Sequence, residues 1–124
     1  MGDMTRNFSR SEFCCKGENC CGHSAPISRE LVEALQQLRD LIGKHLHVNS
    51  GFRCITHNRE VGSRDTSQHC LGLAADIATP EGMTPLEFSD MAARIDAFRN
   101  GGMFIYHWGL HLDIRDERAR GTNI

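Results

Sequence analysis

The six residues LHLDIR at positions 110–115 decide how this chain is read. In an extended strand successive side chains point to opposite faces. Leu110, Leu112 and Ile114 then share one face, and His111, Asp113 and Arg115 share the other. Three aliphatic side chains at that spacing belong in a core. A histidine, an aspartate and an arginine gathered on the same strand are expensive to bury without partners or a task. Just upstream, MFIY at 103–106 reads as a second strand, joined to the first through His107-Trp108-Gly109.

Further out, AADIA at 74–78 is a short apolar strand that sends Asp76 to one face, and Leu46 to Ser50 alternates like another. Ser28 can cap a helix whose Leu31, Leu35, Leu38 and Ile42 fall on one side, with Gly43 as its stop. Thr84, Pro85 and Glu87 combine an N-cap, a proline in the first turn and a capping-box acid. They open a helix with a predicted buried stripe of Leu86, Met91, Ile95 and Phe98, broken at Gly101-Gly102. Ser9 with Glu12 resembles a capping box for a short first helix, and Ile55 to Val61 reads as another, stopped by Gly62. Helices early and midway, with antiparallel strands carrying the polar residues, predict a small α+β domain with a central antiparallel sheet.

The chain of 124 residues has room for one domain, 1–124, and one modest core. With 40% hydrophobic and 24% charged residues it is globular in composition rather than disordered. A net charge of -2 without a Lys/Arg block argues against capture of nucleic acid. No apolar run approaches the ~20 residues of a membrane span. The start, MGDMTRNFSRSEF, lacks the apolar core of a secretory signal, so synthesis in the cytoplasm is expected. The protein is expected to act as a monomer.

Chemistry concentrates in two places. The first is SQHCLGLAAD at 67–76, where His69 precedes a glycine turn and Asp76 sits on the strand that follows. The second is the strand carrying His111. A catalytic zinc takes three protein ligands from His, Asp, Glu or Cys and keeps one position open for water. His69, Asp76 and His111 make such a set. Asp113 lies two residues beyond His111 on the same face and is the first choice of general base, with His107 the second. Asp113 could instead orient a zinc histidine or pair with Arg115. Tyr106 and Trp108 are candidates to line a substrate groove, or to be plain core. His45, His47 and His57 read as surface or structural histidines, and Cys70 as packing.

Cys14, Cys15, Cys20 and Cys21 form two adjacent pairs in a loop at 14–23 that ends on His23. They could hold a second, structural zinc, although the spacing is not a standard one; free thiols are the alternative.

SGFRC at 50–54, HN at 57–58, VG at 61–62, SQHxxGxAxD at 67–76 and HLDIR at 111–115 resemble the zinc D-alanyl-D-alanine carboxypeptidase family. Its relatives include phage endolysin L-alanyl-D-glutamate peptidases and, more distantly, the hedgehog signalling domain. The resemblance runs from roughly residue 8 to residue 115. It implies zinc on His69, Asp76 and His111, a role for Arg53 at the substrate carboxylate or developing oxyanion, and Ser67 beside the substrate backbone. Some relatives carry the general base three residues before the last zinc histidine; that position is Trp108, which cannot take a proton. The expected function is hydrolysis of peptide bonds in peptidoglycan, by a phage or prophage lytic enzyme released through a holin. A zinc-binding recognition module of the same fold, or a cytosolic D-Ala-D-Ala dipeptidase, are the alternatives.

Overall fold

A computed structural model of the chain describes residues 4–8, 13, 27–51 and 72–123. Helix α1 spans Arg29–Ile42. The Ser28 side chain accepts from the Leu31 N–H at its start, and Gly43 closes it in the left-handed region (φ 74°), its N–H donating to the Arg39 carbonyl. Its buried stripe is Leu31, Val32, Ala34, Leu35 and Leu38. The segment before it is strapped across the helix: the Gln36 side-chain Oε1 accepts from Thr5 Oγ1 at 2.9 Å and from Asn7 N–H at 2.8 Å. Phe8 and Phe13 thereby reach the core.

Helix α2, Pro85–Ala92, begins with the capping box read from the sequence: Thr84 N–H donates to Glu87 Oε1, and Glu87 N–H to Thr84 Oγ1. It does not run to residue 98 as one helix. The chain turns at 93–95 and restarts as the short helix α3, Asp96–Arg99. Within α2 the buried face is Phe88, Ser89 and Ala92, so Leu86, expected in the stripe, is 53% exposed and Phe88 is fully buried. Ile95 and Phe98 are buried as expected.

Among the described residues five strands form one sheet: β1 (Val48–Ser50), β2 (Ala74–Ala78), β3 (Gly102–Tyr106), β4 (Gly109–Asp113) and β5 (Ala119–Asn123), in the order β1-β2-β4-β3-β5. The first four are antiparallel neighbours, but β5 lies parallel to β3, so the sheet is mixed rather than purely antiparallel. Parallel pairing is available because the chain crosses back after residue 113 instead of making a tight hairpin. Ala75, Ile77, Leu110, Leu112 and Met103 face the core, packed with residues of α1, α2 and α3. The first-helix reading at Ser9–Glu12 and the one at Ile55–Val61 lie outside the described residues. Among the described residues no helix is long and apolar enough to cross a membrane.

Candidate metal centre

The turn at His107-Trp108 fixes the register of the β3–β4 hairpin: Tyr106 pairs with Gly109, Phe104 with His111 and Gly102 with Asp113. On the other side of β4, β2 pairs Asp76 with His111 and Ala74 with Asp113. Residues paired across strands share a face. Asp76, His111 and Phe104 therefore form one row across the face opposite the core, with Asp113 in the next row. His111 and Asp76 are little exposed, 14% and 18% in their side chains.

His111 is held between two carboxylates. Its Nδ1 lies 3.0 Å from Asp76 Oδ1, and its Nε2 lies 2.8 Å from Asp113 Oδ2. Burial pushes the imidazole pKa down, but the hydrogen bonds and charges of Asp113 and Asp76 outweigh it and hold the pKa above its ordinary value. With a proton on Nε2 given to Asp113, the Nδ1 lone pair faces Asp76. Two ligands of one tetrahedral zinc stand roughly 3.4 Å apart, given metal–ligand bonds of about 2.0–2.2 Å. The Asp76–His111 pair comes within a few tenths of that spacing. A carboxylate behind a histidine is also the usual backing of a metal ligand, fixing tautomer and ring orientation. The two residues fit a divalent metal on these grounds. Among the described residues no cluster of three donors could hold a metal. The third donor read from the sequence, His69, lies outside the described residues, as do Arg53, Ser67 and Cys14, Cys15, Cys20 and Cys21.

Asp113 is fully buried. Its Oδ1 accepts from Gly102 N–H at 2.9 Å, Arg115 N–H at 3.2 Å and Arg115 Nε at 2.8 Å. Its Oδ2 meets His111 Nε2 and, at 2.6 Å, Arg115 Nη2. A carboxylate has about four lone-pair sites, and here five donors crowd them. Burial raises the Asp113 pKa, but the bonds from His111 and Arg115 more than offset this and hold it well below the usual carboxylate range. Held by these donors, the Asp113 carboxylate stands fixed behind His111, where it can set the orientation of the ring.

Gly101-Gly102, read from the sequence as a helix breaker, turns out to be the seat of that carboxylate. A Cβ on Gly102 would lie 2.3–2.5 Å from the Asp113 carboxyl atoms. The two-residue turn was the available signal: once accepted, it places Gly102 opposite Asp113. Phe104 was also missed. Its ring meets His111 edge-on at 5.5 Å, and the Arg115 guanidinium sits 5.5 Å over it on the way to Asp113. Gly121 of β5 makes room, since a Cβ there would come within 2.6 Å of the Phe104 ring.

Tyr106 and Trp108 stack in parallel, centroids 5.0 Å apart, at the far end of the hairpin. His107 is exposed in the turn itself. It lies four positions before His111, in the turn beyond the end of β4, so it does not stand beside the Asp76–His111 pair.

No curated protein is significantly similar to the chain. A family model described as Peptidase M15 matches residues 6–113, nearly the whole length and both halves of the motif. With its geometry and this match taken together, the chain belongs to the peptidase M15 family, whose members are zinc-dependent peptidases.

Proposed function

We propose that the chain is a zinc-dependent hydrolase of peptide bonds in bacterial peptidoglycan, of the lytic kind. It acts either as a carboxypeptidase that removes terminal D-Ala or as an endopeptidase on stem peptides or crosslinks. The observation that carries the reading is the row of Asp76 and His111 with Asp113 bonded behind the histidine. These two residues and His69 would hold the zinc, which when bound would polarise the scissile carbonyl and acidify a water. Asp113 positions His111, and Arg115 and Gly102 hold Asp113 still. Arg53 clamps a substrate carboxylate or stabilises the developing oxyanion. Ser67 contacts the substrate backbone, and the stacked Tyr106 and Trp108 form part of the groove wall.

Mass spectrometry of muropeptides before and after digestion of purified sacculi tests the proposal. New peptide products are expected, abolished by a chelator and restored by zinc. Intact muropeptides after treatment with zinc-loaded protein would contradict it. Arg53→Ala is expected to lower kcat/KM by ~100-fold or more with zinc content intact, the scale of a lost oxyanion donor. Near-normal activity in that variant removes Arg53 from the mechanism.

A further inference from the structure

The face that carries Asp76 and His111 continues past them. One row further along, β2 and β4 pair Ala78 with Gly109. Beyond Ala78 runs the segment before β1, where the Ala78 N–H donates to the His47 carbonyl at 3.0 Å. The floor of this row carries only a methyl group and a hydrogen. Beside it opens a cavity of about 680 Å³, walled by Lys44, His45, His47, Ala78, Thr79 and the turn at 80–82. Ala78 is two residues from Asp76, roughly 7 Å along the strand.

The wall carries several side-chain donors. Lys44 Nζ donates to the Glu81 carbonyl at 2.6 Å, which pins the ammonium over the turn and leaves two of its three protons available. Among the described residues that ammonium forms no ion pair. His45 and His47 are both exposed, and both line the cavity. The Thr79 hydroxyl is buried and, among the described residues, has no hydrogen-bond partner, a state that native interiors seldom leave unrelieved. Glu81 also stands in the wall. Its charge opposes a dianion such as a phosphate but tolerates a single carboxylate bonded to Lys44.

We propose that this cavity is a specificity subsite, seating a carboxylate that the substrate peptide carries about two residues from the scissile bond. That offset follows from an extended peptide lying along β2, at about 3.3–3.6 Å per residue. The carboxylate takes charge-assisted bonds from Lys44 and N–H bonds from the two histidines. The inference rests on the peptidase reading above and adds what the enzyme selects.

Stem-type peptides, each paired with a copy in which one carboxylate is converted to its carboxamide, test it. Wild-type protein is expected to prefer one acid peptide over its amide by ~10-fold or more in kcat/KM, mainly through KM. Lys44→Met should bring that ratio close to unity, and Lys44→Arg should keep most of it. In parallel, the His45 and His47 ring signals in NMR spectra should shift with the acid peptide and not with the amide. Cleavage of every pair at equal rates, with silent histidines, overturns the subsite and leaves the peptidase reading standing. Histidine shifts without cleavage of any peptide overturn the peptidase reading and leave the carboxylate pocket.

Discussion

Strands β2 and β4 present two faces drawn from alternate residues, and the two are held together by different forces. On one face Ala75, Ile77, Leu110 and Leu112 are fully buried against the helices. Their contribution is non-directional and scales with apolar area, about 1.5–3 kcal/mol for each large side chain. On the other face Asp76, His111 and Asp113 are equally far from bulk water in places, yet each needs a partner at a set distance and angle. The first face sets how stable the domain is. The second sets what it can hold, and a single strand supplies both because its side chains alternate.

The contrast can be broken from either side. Leu112→Ala, in the core face next to His111, should cost about 2–5 kcal/mol in urea unfolding. The folded fraction of that variant should still bind metal; loss of metal from folded protein would mean the two faces are not separable. Asp113→Asn should cost less stability, about 1–3 kcal/mol, and weaken zinc affinity some 10–100-fold. Activity should then return when zinc is raised. A variant that keeps its zinc affinity and yet turns over nothing would make Asp113 the general base after all.

The smallest effect is expected on the acid side. Because the folded-state pKa of Asp113 lies below the ordinary value of about 3.9, its contribution is present above that value. It is lost as pH falls from there through the folded pKa. The stability gap between wild type and Asp113→Asn should therefore narrow between pH 7 and pH 3. A constant gap over that range would remove the charged network as its source.

Much of this was legible in the sequence where the signal is local. Ser28 and Thr84 announced their helices by cap chemistry, and period-2 alternation placed Asp76 and His111 on strands. What escaped depends on distant partners. Strand β5 reads ARGTN, with no apolar alternation, and exists because β3 offers it an edge and Gly121 yields to the Phe104 ring. The break after Ala92 has neither glycine nor proline to mark it. Spacing put Asp113 beside His111, but not the donors arriving from Gly102 and Arg115 that hold its carboxylate there. His45 and His47 are surface residues, as read, but nothing in their spacing shows that the turn at 80–82 stands beside them and makes a cavity.

The central claim is that Asp76 and His111 hold zinc, and elemental analysis of zinc-replete protein tests it most directly. Wild type should carry one tightly held zinc at this site, and Asp76→Ala and His111→Ala should each lose it. Both variants should keep the wild-type circular dichroism spectrum, since neither side chain belongs to the hydrophobic core. If both folded variants retain the full zinc content of wild type at that site, the metal centre is not where this account puts it.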